Sequence, residues 1–106
     1  MREAPNLIVI LNKNCSSPFE NISTDKPFSE ICDSLSIGAA VENMLLKAIE
    51  LGIGSLWIAN TCFAYNELVD YIGTTYQLVG AISLGYANET PAARPRKCSE
   101  DVVEYR

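Results

Sequence analysis

Histidine is absent from this chain of 106 residues, and its absence removes several catalytic and metal-binding classes. There is no Ser-His-Asp triad, no Cys-His pair and no common zinc site that includes imidazole. No Cys-x-x-Cys spacing occurs among the four cysteines, Cys15, Cys32, Cys62 and Cys98. No carboxylate pair stands out at a spacing typical of acid or base catalysis. We therefore expect no metal site, free thiols and no catalytic side chain, so any chemistry must come from a bound cofactor.

Basic charge and long apolar runs are also scarce. The chain carries 8 basic and 13 acidic residues, a net charge of −5, whereas nucleic-acid binding requires a basic surface that follows the phosphates. Its longest apolar runs, such as Leu7 to Leu11, fall far short of the about 20 residues that span a bilayer. The N-terminus shows no cationic stretch followed by a long apolar one. We expect no nucleic-acid partner, no membrane partner and a cytoplasmic location.

The composition, 48% apolar and 20% charged, is that of one soluble domain over residues 1–106. Asn6 to Asn12, NLIVILN, has the pattern of a buried central strand. Residues 13 to 33 are rich in Asn, Ser, Pro and Asp, and they predict a long loop held by a few apolar side chains.

A helix is predicted from Ser34 to Leu51, with Asp33, Ser34 or Ser36 as the N-cap and Gly52 as the left-handed residue that ends it. Apolar side chains recur along it at spacings of three and four, which places them on one stripe that we expect to be buried. The stripe consists of Ile37, Ala40, Val41, Met44, Leu45, Ala48 and Ile49.

Two further strands are predicted, from Ser55 to Asn60 and from Gln77 to Ala87, with a short helix from Asn66 to Ile72 between them. Gly80 and Gly85 indicate a bulge or a close approach by another backbone in the last strand. Taken alone, this alternation of strands and helices would suggest a parallel α/β sheet.

The segment from Gly38 to Asn60, GAAVENMLLKAIELGIGSLWIAN, is the most informative stretch, because its helical pattern leads through a glycine pair into a strand. It resembles the flavin-docking segment of the FMN-dependent nitroreductase family. The matching residues are Glu42 to Leu46, Glu50 to Ser55 and Trp57-Ile58, with Ala4 to Ile10 before them and Leu84 to Tyr86, Pro95 to Lys97 and Val102-Val103 after them.

The resemblance implies an α+β fold with a mixed, mainly antiparallel sheet between helical layers, as a single nitroreductase-like domain over residues 1–106. It covers only the C-terminal part of a family member. The N-terminal segment, which in the family holds an Arg/Ser-rich loop for the FMN phosphate, is absent from residues 1–106. We therefore expect a fold truncated at the N-terminus, with the long helix in the subunit contact.

The resemblance also implies a flavoprotein oxidoreductase that transfers electrons from NAD(P)H through FMN to a small oxidised acceptor. The expected assembly is a homodimer with FMN near the subunit interface. Two alternatives stay open. One is a non-catalytic remnant that forms a dimeric domain with weak or no flavin binding, and the other is half of a split enzyme.

The resemblance further assigns site residues around the end of the strand that follows the long helix. In nitroreductase-like proteins, backbone N–H groups at this point bond flavin N5 and O4, and by position they belong to Ala59 and Asn60. Trp57 and Ile58 are expected in the core and in the wall of the flavin pocket.

Three of the eight basic residues lie together at Arg94, Arg96 and Lys97. One interpretation is a solvated run of charge. The other is phosphate binding, because guanidinium groups bond phosphate oxygens in pairs and Pro95 stiffens the segment. The resemblance favours the second, with Arg94 and Arg96 on the FMN phosphate.

Overall fold

The structure of the protein is a computed structural model that describes residues 4–15, 17–19 and 26–105. Three strands and two α-helices make up most of it. In chain order the elements are β1 (Asn6–Asn12), α1 (Lys26–Glu50), β2 (Gly54–Ile58), a 3-10 helix (Asn60–Ala64), α2 (Tyr65–Ile72), β3 (Gln77–Gly85) and a second 3-10 helix (Ser99–Asp101).

The three strands form one sheet in the order β1-β3-β2, and both pairings are antiparallel. The parallel sheet that the alternation of elements suggests is therefore wrong. The resemblance implied a mixed, mainly antiparallel sheet between helical layers, and its antiparallel character is confirmed, whereas both pairings among the described strands are antiparallel and not mixed. The reason lies in the connections. The crossover containing α1 joins β1 to β2, and these two parallel strands are separated by β3, which pairs with both.

Strand β1 lies at an edge of the sheet, which corrects its prediction as a central strand. Its side chains alternate between half-buried Ile8 and Ile10 and exposed Leu7 and Val9. A continuous apolar run is typical of a strand covered on both faces, but here one face of β1 lies open. The central, most buried strand is β3.

One face of the sheet packs against α1. The pairing register places Ile8, Ile82 and Trp57 side by side in a row across the three strands. A Cβ added at Gly38 of α1 would lie 3.9 Å from the Trp57 ring, so this row faces the helix. Ile82, in the middle of the row, has no exposed surface.

The opposite face carries a second apolar row. Leu7, Ser83 and Leu56 are aligned by the same register, and the outer two side chains are 58% and 57% exposed. A neighbouring row consists of Val9, Ala81 and Ile58. Apolar side chains on both faces mean that the sheet needs a covering layer on this second face as well.

Helix α1 begins at Lys26, eight residues before the predicted start at Ser34. The predicted loop of residues 13 to 33 therefore ends at the helix, although residues 16 and 20–25 of that loop lie outside the described part of the chain. The candidate N-cap residues lie inside the helix. There, the Ser36 hydroxyl donates to the Cys32 carbonyl oxygen one turn earlier, at 2.9 Å, instead of capping an end.

The buried stripe of α1 is narrower than predicted. Val41 and Ala48 are buried, and Ile37 and Leu45 are half-buried, which confirms the centre of the stripe. Met44 is 40% exposed, and Ala40 and Ile49 are exposed, so the expected burial of these three side chains is wrong. A helix that packs against one face of a three-stranded sheet buries only the side chains that point directly at the strands.

Glycines end both α-helices as predicted. Gly52 has φ 71° and Gly73 has φ 70°, the left-handed conformation that glycine adopts without steric cost. After Gly52, the N–H of Ile53 donates to the carbonyl oxygen of Ala48 at 2.8 Å and turns the chain toward β2.

The other boundaries differ by a few residues from the predicted ones. Strand β2 ends at Ile58 instead of Asn60, because a 3-10 helix begins at Asn60. Strand β3 ends at Gly85 instead of Ala87. The predicted close approach of another backbone is confirmed at Gly80, whereas at Gly85 the close neighbour is the ring of Pro5. A Cβ at Gly80 would lie 2.9 Å from the Ile58 carbonyl oxygen, and one at Gly85 would lie 3.0 Å from Cδ of Pro5.

The chain is more open than a compact monomer of its size. Its accessible surface is 8914 Å² at 11.6 kDa, whereas a folded monomer of this mass exposes about 5,800 Å². Its radius of gyration is 16.7 Å, against about 13 Å for a compact domain of this length. None of the helices in residues 26–105 is long and apolar enough to cross a membrane.

The small core leads to a direct stability prediction at Ile82. Replacing Ile82 with Ala should lower the free energy of unfolding by about 2–5 kcal/mol, because a fully enclosed side chain leaves a cavity between the sheet and α1. Ile82→Val, which removes one methylene, should cost only about 0.5–1.5 kcal/mol. Urea unfolding of both variants measures the two losses. A negligible loss for Ile82→Ala would contradict the enclosed position of this side chain.

Candidate functional site

The end of β2 changes from a buried strand to an exposed turn within two residues. Ile58 is buried, and its carbonyl oxygen lies against Gly80 of β3, a contact that only a glycine permits. Ala59 and Asn60 follow immediately and are exposed. We call these two residues the amide segment. Gly80 therefore fixes the backbone immediately before this segment.

The N–H groups of the amide segment are available to a ligand. The 3-10 helix begins at Asn60 with Ala59 as its N-cap, and the first N–H groups of a helix have no acceptor within it. No side chain caps this end. Neither amide donates one of the turn, loop or cap hydrogen bonds found in the described residues. Two adjacent exposed donors on a fixed backbone suit an acceptor at the edge of a flat ring.

Trp57 lies on the α1 side of the strand, partly covered by the helix. Its ring is in van der Waals reach of Gly38, and its Nε1 lies 3.4 Å from the position that a Cβ on Gly80 would occupy. Both neighbours are glycines, which leave room for the indole between helix and sheet. More than a third of Trp57 stays exposed, so the ring can also contribute to the wall of a site.

A buried polar network fixes the same end of the sheet. The Asn12 Nδ2 at the end of β1 donates to Gln77 Oε1 of β3 at 3.3 Å, and Gln77 Nε2 donates to Glu30 Oε1 of α1 at 2.5 Å. Asn12 and Gln77 are both buried. The network ties the ends of two strands to the first half of the helix. The sequence analysis did not predict this network, although Asn12 and Gln77 lie directly beside apolar strand residues in the sequence.

The basic cluster, Arg94, Arg96 and Lys97, lies on a segment without regular secondary structure, and all three residues are exposed. The Arg96 Nη1 donates to the backbone carbonyl oxygen of Arg94 at 3.3 Å. This contact leaves most of the Arg96 donors open to solvent, since a guanidinium carries five. An exposed guanidinium group can bond two oxygens of an anion such as a phosphate.

The two parts of the predicted site leave the sheet at opposite ends. Strand β3 ends at Gly85, which pairs with Gly54 at the start of β2, whereas the amide segment follows the other end of β2. The basic cluster lies beyond the β3 end. In the described part of the chain, no hydrogen bond joins Trp57, Ile58 or the amide segment to Arg94 or Arg96. A ligand that contacts both groups must therefore bridge them.

A cavity of about 560 Å³ lies at the start of β2. It is open to solvent and is lined by the beginning of β2, the end of β3 and the segment that follows, including Leu56, Ser83 and Tyr86. None of the six predicted site residues lines it. This cavity is therefore distinct from the amide segment.

The comparison with known protein families gives one match that covers most of the chain. Residues 1–86 match the nitroreductase family. The matched range contains Trp57, Ile58 and the amide segment, and it stops before Arg94 and Arg96. Membership of this family suggests a flavin oxidoreductase, and its members are typically dimeric, bind FMN and use NAD(P)H. On this match and the antiparallel α+β fold, the chain belongs to the nitroreductase family.

Proposed function

We propose that this protein is an FMN-dependent oxidoreductase that transfers electrons from NAD(P)H to a small oxidised acceptor, and that it works as a homodimer. The observation that carries the proposal is the amide segment. Ala59 and Asn60 are exposed residues at the start of a 3-10 helix that no side chain caps, and the proposal assigns their backbone N–H groups to the flavin edge.

The residues of this chain fit the flavin in complementary ways. The amide segment donates to N5 and O4 at the edge of the ring, while Trp57 and Ile58 back the strand that presents it. FMN supplies the hydride and electron transfer itself, which explains why a chain without histidine or a catalytic carboxylate pair can belong to an oxidoreductase family. The role of the protein is to bind, orient and shield the ring.

Arg94 and Arg96 are proposed to hold the phosphate of FMN. Their side chains are exposed and lie close in the chain, and a guanidinium group bonds two phosphate oxygens at once. The cluster lies outside the matched residues 1–86, so this assignment rests on its chemistry and on the resemblance of the Pro95 to Lys97 segment.

The homodimer is supported by the apolar surface that one copy leaves open. A second apolar stripe runs along α1 beside the buried one, and its side chains are exposed. Phe28, Ile31, Leu35, Leu46 and Ile49 form this outer stripe. At 100° per residue they fall within an arc of roughly 60°, which also contains the exposed Glu42 between Leu35 and Leu46. Together with the excess accessible area, this surface favours a second copy of the chain as its cover.

The alternative is a dimeric domain without catalysis, or one half of a split enzyme. The same open surface supports it, because a domain can keep its interface after losing its cofactor. Flavin binding separates the two possibilities. Purified protein that is yellow, or that turns yellow and quenches flavin fluorescence when FMN is added, supports the oxidoreductase. A chain that binds no flavin as a stable dimer supports the alternative.

The dimer leads to a prediction at Leu35, in the middle of the outer stripe. The unmodified chain should have a mass in solution of twice 11.6 kDa, and Leu35→Lys should shift it toward the monomer, since a buried charge opposes association. Multi-angle light scattering measures both masses. Tyr71→Lys on α2, an exposed position outside the stripe, is the control and should leave the mass unchanged. An unmodified chain that is monomeric at micromolar concentration would contradict the proposed homodimer.

The phosphate site leads to a prediction at Arg96. Arg96→Ala should weaken FMN binding by roughly one to two decades, since a charge-assisted hydrogen bond contributes about 1.5–3 kcal/mol, and riboflavin binding should hardly change. Higher salt should weaken FMN binding in the same selective way. Fluorescence titration with both flavins measures the affinities. Lys47→Ala removes a basic residue from an exposed ion pair with Glu50 and serves as the control. Equal weakening of FMN and riboflavin by Arg96→Ala would show a structural role.

A further inference from the structure

Gly80 of β3 lies against the end of β2, immediately before the amide segment. It is buried, and the atoms nearest to a Cβ built on it belong to three consecutive residues. They are the Ile58 carbonyl oxygen at 2.9 Å, Trp57 Nε1 at 3.4 Å and Ala59 Cα at 3.9 Å. We propose that Gly80 is a positioning residue for the flavin ring, because its missing side chain determines where the Ala59 and Asn60 amides lie. This inference rests on the proposed function, since it concerns the same site.

The backbone conformation does not explain a glycine at this position. Gly52 and Gly73 have a positive φ, whereas Gly80 does not, so a residue with a side chain could adopt its backbone conformation. A glycine inside a strand also weakens the strand, because it packs no side chain and loses more conformational entropy than other residues. The close approach of residues 57–59 is therefore the feature that requires glycine here.

An irregularity of the sheet lies directly beside Gly80. The pairing register of β1 with β3 shifts between Ile10 and Leu11, and it leaves Val79 without a partner in β1. The ladder of β2 with β3 ends at Ile58, and Gly80 lies one residue beyond the last pair. A bulge of this kind bends the strand and increases its local twist. The bulge and the glycine together allow the end of β2 to lie directly on β3.

A side chain at residue 80 would displace the amide segment. A methyl group 2.9 Å from the Ile58 carbonyl oxygen is closer than packed atoms allow, and a backbone carbonyl cannot rotate away as the end of a flexible side chain could. The chain at Ile58 would have to move, and the next two residues would move with it. Hydrogen bonds weaken as their geometry departs from the optimum, so both amide contacts to the ring would weaken. FMN and riboflavin share this ring, so both should lose affinity by the same factor.

The experiment measures the affinity for riboflavin and for FMN by fluorescence titration of the unmodified chain, Gly80→Ala and Gly85→Ala. Gly85 is the matched control, because it lies about 17 Å away in the same strand and a Cβ there would come to 3.0 Å from the Pro5 ring. Gly80→Ala should weaken both flavins roughly two- to tenfold. Gly85→Ala should leave riboflavin affinity unchanged. Urea unfolding of both variants measures how much stability each one loses.

The Raman spectrum of the bound flavin distinguishes a displaced contact from a general loss of stability. A hydrogen bond to O4 lowers the stretching frequency of the C4 carbonyl group. Gly80→Ala should therefore raise this frequency, and Gly85→Ala should leave it unchanged.

A second measurement needs no variant and applies even where Gly80→Ala does not fold. It is the NMR relaxation of the backbone amides in the unmodified, flavin-free chain. Because the contact with Gly80 holds the end of β2, the amides of Ala59 and Asn60 should have the order parameters of a rigid backbone, about 0.85.

The outcomes separate this inference from the function on which it rests. Failure of the unmodified chain to bind either flavin overturns the proposed function, and the role of Gly80 with it. Normal flavin binding with unchanged riboflavin affinity in Gly80→Ala overturns the role of Gly80 alone. Equal losses of riboflavin affinity in Gly80→Ala and Gly85→Ala also overturn it, because the effect would then follow stability. Order parameters below about 0.6 at the amide segment overturn it as well.

Discussion

The packing of α1 against a single face of the sheet is the constraint on which the rest of the structure depends. It encloses the middle of β3 at Ile82 and the middle of the helix at Val41. It leaves the outer side chains of the second face, Leu7 and Leu56, and the outer stripe of the helix exposed. One helix cannot cover a three-stranded sheet on both sides. The accessible surface of 8914 Å² is the direct consequence, and it makes association part of the stability of this domain.

The same packing determines where a ligand can be held. The Asn12–Gln77–Glu30 network and the close approach of Gly80 to Ile58 fix one end of the sheet, so the exposed amide segment starts from a rigid backbone. The basic cluster lies on a segment without regular secondary structure that follows the other end of β3 in the chain. The proposed assignment requires one FMN to reach from the amide segment to these guanidinium groups.

Local patterns in the sequence predicted the positions of helices and strands along the chain better than they predicted which faces of these elements are buried. The β1 range, the left-handed Gly52 and the glycine contacts of β3 follow from side-chain pattern and steric limits of single residues. The edge position of β1 and the exposure of Met44 could not be predicted, because both depend on which faces find a partner. The start of α1 was missed because polar residues interrupt its first turns. The amide segment was predicted only through the family resemblance, because backbone N–H groups are present at nearly every residue and cannot be recognised from side-chain composition.

The central claim is that the backbone of Ala59 and Asn60 binds the flavin edge, and hydrogen–deuterium exchange with and without FMN tests it most directly. These two amides are exposed and outside the sheet ladder, so they should exchange rapidly in the free protein. Saturating FMN should slow their exchange markedly, while the already protected amides in the middle of β3 should change little. FMN binding that leaves Ala59 and Asn60 unprotected, with protection elsewhere in the chain, would contradict the account.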